Sequence, residues 1–209
     1  MKHTWLLFAS AVLLIAAALP APAQWGPPRS EPSRLTGSFG GGFAMPVNPT
    51  ATRLDAGWNL SGGIGVTQEY VGIMLDALFT DFGITHGALV REGAARGSQK
   101  YWAVTIDPIF HVNQRGPVDF YLTGGGGIYG QRTDLRIPSG LSGSRRYDLI
   151  SSNTIYKPGV NGGVGFSYNF SYDSTVKVFA EARYHHMFVR GGDASFIPVT
   201  LGIRFLTEY

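Results

Sequence analysis

The stretch VFAEARYHHMFV, Val178 to Val189, decides the fold. Glu181, Arg183 and His185 fall on every second position, with Val178, Ala180, Ala182 and Tyr184 between them. Strict alternation is the mark of a β-strand with one apolar and one polar face. Which face meets solvent then separates two architectures. A soluble barrel turns its apolar face inward, whereas a membrane barrel turns it outward to lipid.

The same period recurs along the chain. Leu35, Gly37, Phe39, Gly41 and Phe43 share a face in a strand from about Leu35 to Met45. Trp58, Leu60, Ile64 and Val66 do so in a second, and Val71, Ile73, Leu75, Ala77 and Phe79 in a third. Trp102, Val104, Ile106 and Phe110 mark a fourth; Val118, Phe120, Leu122 and Ile128 mark a fifth. Val160, Val164, Phe166, Tyr168 and Phe170 align in a sixth, the opening stretch is the seventh, and Ile197, Val199, Leu201, Ile203 and Phe205 form the eighth. Short turns are expected at Thr67–Glu69, Asn113–Gly116 and Ser171–Ser174. Longer loops are expected at Pro46–Ala56, Asp81–Gln99, Gln131 to about Ile155, and around Gly191–Asp193. Alternating long and short connections over eight strands predict an all-β fold, an eight-stranded antiparallel transmembrane β-barrel with short periplasmic turns and long outer loops.

The N-terminus is consistent with export. Lys2 precedes an apolar run from Trp5 to Leu19, and Ala21-Pro22-Ala23 has the small-residue spacing of a cleavage site. Residues 1–23 therefore read as a signal peptide, residues 24–34 as a periplasmic lead-in rich in Pro and Ser, and residues 35–209 as the barrel. There is no Cys, so stability must come from packing and backbone pairing. The formal charge of +3 is too small to argue for nucleic acid. The 29 glycines are about twice the usual share and follow no collagen triplet.

Aromatic placement orients the faces. With strand directions assigned by the long–short rule, Trp58, Trp102 and Tyr184 fall near the outer rim. Phe110, Phe120, Tyr168 and Phe205 fall near the periplasmic rim, and all carry the apolar parity. Two girdles at opposite interfaces are what lipid favours. Glu181, Arg183 and His185 then point inward, and Asp76, Asp107, Asp119 and Arg204 share their parity. Unpaired charges in a narrow interior are costly. The expectation is a polar network joining Glu181 to Arg183 or Arg204, and Asp76 or Asp107 to a remaining arginine. A barrel of this size is filled by side chains, so a plug is favoured over a charged pore lining. Pro46 and Pro158 fall near loop ends, and Pro108 and Pro198 enter strands, where a bulge is the expected consequence.

The tail ARYHHMF followed by FIPVTLGIRF resembles the last hairpin of small bacterial outer-membrane barrels, the OmpA-like and opacity-like surface proteins. The resemblance implies an outer-membrane location and contact with lipid and lipopolysaccharide. It also implies a last strand ending on an aromatic, Phe205 or Tyr209, that the barrel-assembly machinery reads. Fold alone does not supply an activity.

Three chemical readings compete with structural ones. Gly125, Gly127 and Gly130 match G-x-G-x-x-G, but the motif lies inside a strand rather than ahead of a helix, so it reads as a small-residue wall, with no cofactor. His185 and His186 are adjacent on a strand and point apart, while His86 and His111 are expected at loop and turn positions far apart, so no metal site is expected. Some small outer-membrane barrels are lipid A deacylases with a His and a Ser two residues apart on the lipid-facing surface. Here Met187 follows His185 at that spacing and Phe188 follows His186, so no catalytic residue is assigned. The expected function is a non-enzymatic envelope structural or surface-interaction protein acting through its outer loops. A narrow pore and a lipid-modifying enzyme are the alternatives. Arg132, Arg136, Arg145 and Arg146 are the candidate loop contacts, suited to phosphates or an acidic partner.

Overall fold

The computed structural model describes residues 34–68, 70–112, 117–138, 147–170, 175–189 and 194–207. The segments expected to be a signal peptide and lead-in, up to residue 33, together with Asn113–Gly116, Ser171–Ser174, Gly191–Asp193, Arg145, Arg146 and Tyr209, lie outside them.

Eight strands run in chain order: β1 Arg34–Val47, β2 Leu54–Gln68, β3 Val71–Ile84, β4 Arg96–His111, β5 Val118–Pro138, β6 Tyr147–Asn169, β7 Val176–Met187 and β8 Ala194–Thr207. Each pairs antiparallel with the next, and β1 closes on β8. Closure removes every sheet edge at the barrel waist, which an isolated sheet in lipid could not tolerate. The β1 start, the β8 end and the β2–β3, β4–β5 and β6–β7 turns share one end. The other end carries a short 3₁₀ turn at Thr50–Thr52, a helix α1 at His86–Arg91, and the β5–β6 and β7–β8 connections.

Two expected loops are shorter than their sequence suggests. The segment from Gln131 to Ile155 is mostly strand: the ladder of β5 and β6 continues from Gln131↔Ile155 to Pro138↔Tyr147. Polar and charged residues interrupt the pattern there, so no clean apolar stripe marks the two arms, yet backbone pairing continues. The Asp81–Gln99 region likewise holds the end of β3, helix α1 and the start of β4. Pro158 is consequently inside β6 rather than near a loop end. It sits where β6 outruns β7, whose pairing stops at Gly159↔Met187. Pro108 and Pro198 produce no bulge. The β4–β5 ladder skips Asp107 and Pro108, and the β7–β8 ladder skips Arg183 opposite Pro198, with the register unchanged on either side. The register shifts lie elsewhere, between Leu54 and Gly57 and between Leu135 and Arg136.

The apolar face points outward. Ile64, Ile106 and Leu201 are more than 60 % exposed, whereas Asp107 on the opposite parity is fully buried. That settles the direction of the alternation in β7: Tyr184 is exposed and His185 is 3 % exposed.

Glycine accounts for the closeness of the walls. Several large inward side chains lie across a glycine of the neighbouring strand: Tyr121 over Gly165, Phe179 over Gly202 and Arg183 over Gly163. Gly125 and Gly127 of the G-x-G-x-x-G stretch back onto the β4 backbone, where a Cβ would collide with the Ile106 and Val104 carbonyl oxygens, and Gly130 is covered by the Trp102 indole. The motif is therefore part of the wall. Gly127→Ala is expected to lower unfolding free energy by about 1–3 kcal/mol, because the added methyl must displace backbone. Urea unfolding in vesicles followed by tryptophan fluorescence measures this, and an unchanged midpoint would contradict the close approach.

Candidate functional site: a filled interior between two rims

The interior is stacked in three layers. Toward the long-link end, Phe82, Tyr101, Tyr129 and Phe196 are fully buried with Ala44, Leu54, Ala103, Met187 and Ala194. The Phe82 ring meets Tyr101 and Phe196 edge-on, at 5.7 and 5.6 Å between centroids. Sequence parity puts these rings on the inward face, but the small and polar residues around them suggest a purely polar filling. The structure corrects that expectation: this layer is aromatic.

The charged layer comes next, and one arginine organises it. Arg183 Nη1 donates to Asp107 Oδ2 at 2.7 Å and to Asp76 Oδ2 at 3.0 Å. Its Nε and Nη2 form a bidentate pair with Glu181 on the same strand. Asp107 also accepts from Thr105 Oγ1 at 2.7 Å and from Asn161 Nδ2 at 2.8 Å. Arginine suits this place, since its rigid fork serves several carboxylates at once. The expected division of the carboxylates between two arginines is not what the structure shows. Arg183 takes Asp76, Asp107 and Glu181 together.

Arg204 belongs to the third layer. Its guanidinium lies 4.6 Å from the Tyr121 ring centre and 5.2 Å from that of Phe179, a cation–π arrangement in a desolvated place. Met74 and Ile109 pack with Tyr121. Asp119 stands apart from the Arg183 cluster. It pairs with His111 Nδ1 at 2.7 Å and lies 3.4 Å from Ser167 Oγ. Sequence reading misses the His111–Asp119 pair because it puts His111 at a turn, whereas His111 closes β4. Between the charged and lower layers a cavity of about 30 Å³, bordered by Asp76, Glu181, Arg183 and Arg204, has room for roughly two waters.

The outer surface carries the aromatics in two rows. Phe43 pairs with Trp58, Trp58 meets Phe79 at 5.3 Å, Phe79 pairs with Trp102, and Trp102 meets Tyr156 at 5.8 Å. Tyr184 is exposed near the same end of β7. At the other end Phe120 faces Phe166 at 6.3 Å, and Phe110, Tyr168 and Phe205 are exposed. Along β4, Trp102 and Phe110 are roughly 27 Å apart, or about 20 Å along the axis of a tilted barrel, comparable to the apolar band of outer-membrane barrels.

Above the upper row lie the candidate contacts. Arg132 is half exposed and its Nε donates to Asp134 at 3.0 Å. Burial alone would push the Asp134 carboxyl up, but hydrogen bonds from Arg132 and Ser152, with the nearby Lys100, hold it below the usual carboxylate value. Arg136 is exposed and stands opposite Arg96 of β4. Both candidates are thus on β5 rather than in a loop.

A closed eight-stranded wall, apolar without and charged within, defines a transmembrane β-barrel of the outer-membrane type. The chain belongs to the outer membrane protein beta-barrel domain family, whose sequence profile matches residues 9–205, and the family places it in the bacterial outer membrane. Among solved structures, it is similar to a major outer membrane protein from Thermus thermophilus, at 11 % identity and a TM-score of 0.61, over 85 % of this chain and 100 % of that one. Neisserial surface protein A is also similar, at 15 % identity and a TM-score of 0.51, over 83 % and 95 % of the two chains. At such identities the likeness establishes the fold. No curated protein sequence matches the chain.

Proposed function

We propose that the chain is a sealed outer-membrane barrel that works as an envelope surface protein, binding at its outer end rather than conducting through its centre. The observation that carries this reading is the Arg183 cluster: a guanidinium held by three carboxylates spans the interior beneath a layer of packed rings. Opening a path would strip those charges of their partners, which is costly in a low-dielectric interior. In this reading residues 1–23 direct export, and the last strand, ending near Phe205, is what the assembly machinery engages.

The outer end supplies the binding surface. The long β5–β6 pair lifts Arg132 and Arg136 above the aromatic row, and Arg145 and Arg146 fall in the sequence between the two strands. A basic projection of this kind suits the phosphates of lipopolysaccharide or another polyanion. Replacing all four arginines by Gln is expected to abolish salt-sensitive co-sedimentation with lipopolysaccharide while leaving the mobility shift on boiling in SDS intact. Unchanged binding by the folded variant would remove these arginines from the account.

A further inference from the structure

The β7–β8 hairpin brings a histidine and a serine together on the outside of the wall. His186 and Ser195 are register partners near the outer end. Their chain neighbours His185 and Phe196 point inward and stack on each other at 5.3 Å, so His186 and Ser195 carry the outward parity. His186 Nδ1 lies 2.9 Å from Ser195 Oγ. Tyr184 Oη donates to the same Oγ at 2.9 Å, which leaves the serine's own proton for the imidazole. The His186 ring is fixed from two sides, stacked on Tyr184 with 17° between planes and edge-on to Phe188 at 4.9 Å. Ser195 is anchored in turn, since its backbone N–H donates to Thr50 Oγ1 at 2.9 Å.

A hydroxyl hydrogen-bonded to an imidazole of restricted orientation is the pairing that nucleophilic acyl transfer needs. Searching one strand for a His and a Ser two residues apart does not find it, because the partners sit on adjacent strands and only the register reveals them. We propose that Ser195 and His186 form a hydrolytic site for fatty-acyl esters of the outer leaflet. The substrate class follows from position. The pair lies at the top of a lipid-facing wall that includes Val199, Leu201 and Ile203, where acyl chains end and their ester carbonyls begin. Ser195 Oγ bonds to the carbonyl carbon and passes its proton to His186. The ester C–O bond breaks, and the departing alkoxide takes that proton. Water, deprotonated by His186, then cleaves the acyl-serine, releasing the fatty acid and restoring the hydroxyl. Ser195 is 2 % exposed beneath Tyr184, which is itself 42 % exposed. Turning the Tyr184 ring outward would open the approach at the cost of its stacking on His186 and its hydrogen bond to Ser195, leaving the edge contact with Phe188 to orient the imidazole.

The test uses the full chain folded into vesicles of phosphatidylethanolamine and phosphatidylglycerol, with and without lipopolysaccharide, and reads free fatty acid. Release is expected in at least one set. Release without lipopolysaccharide assigns the ester to glycerophospholipid, and release only with it assigns the ester to lipopolysaccharide. Ser195→Ala and His186→Gln should each reduce release by about 100-fold or more. Gln keeps a hydrogen-bonding partner for Ser195 but cannot take its proton, so the His186→Gln barrel should still shift on boiling. Release no greater than that of empty vesicles from folded protein in both sets, or release that survives His186→Gln, would overturn the site and leave the cluster as a clasp between β7, β8 and Thr50. The sealed-barrel reading stands or falls separately, on conductance.

Discussion

Replacing Arg183 by Met is expected to cost about 3–5 kcal/mol of unfolding free energy, the range for removing one partner of a buried ion cluster. Three carboxylates converge on this side chain, and Asp107 is fully buried. Without the guanidinium, Asp76, Asp107 and Glu181 repel one another with little solvent to screen them. Asp107 would retain Thr105 and Asn161 as donors, but neutral donors do not replace a full positive charge. The cost therefore comes from stranded charge rather than from lost packing, and that origin is testable. Adding Asp76→Asn, Asp107→Asn and Glu181→Gln to Arg183→Met should recover most of the loss, because substitutions sharing one network are not additive. Urea unfolding of the folded barrel in vesicles measures both variants. A loss of under about 1 kcal/mol for Arg183→Met, or no recovery on neutralising the carboxylates, would contradict the assignment of Arg183 as the organising charge.

Leu201→Arg is expected to cost about 2–4 kcal/mol, since Leu201 lies mid-strand on the lipid-facing side. Its register partners are Gly41 on β1 and Ala180 on β7, so neither neighbour offers a counter-charge. The effect should depend on depth. Val71→Arg, at the turn end of β3, should cost only about 0–1 kcal/mol, because the arginine there reaches the interface. A soluble barrel would show no such gradient, an exposed Leu→Arg change being nearly neutral at any height. Equal costs at the two positions would contradict the placement of the membrane between the aromatic rows.

Much of the fold is legible in the residues, and the remainder is hidden for identifiable reasons. Alternation is a local property, so the strands and the shared parity of Asp76, Asp107, Glu181 and Arg183 can be read directly. The direction of the faces needs one more fact, the sorting of Trp58, Trp102, Phe110 and Phe120 into two rows. The pairing inside the barrel cannot be read, because it depends on which side chains reach across the closed wall. Arg183 crosses to Asp76 and Asp107 over positions made small by Gly163 and Gly63. Above the aromatic row the alternation loses its contrast, since lipid no longer demands an apolar outer face. Residues 131–155 therefore read as a loop, although the backbones of residues 131–138 and 147–155 pair. The inward rings of Tyr101, Tyr121 and Tyr129 carry the right parity, but a barrel rich in glycine on its inner face does not advertise room for them. His186 and Ser195 escape for the same reason as the ion pairs. Their proximity is a matter of register, and register is not a local property.

The central claim is that folded protein closes its own bore. Single-channel conductance of the refolded chain in a planar bilayer tests it most directly, using only material that shifts mobility on boiling in SDS. The sealed interior predicts silence from inserted protein, with Arg183 holding its three carboxylates across the lumen. Steady, salt-dependent current steps would contradict it, and the charged layer would then be the lining of a narrow pore.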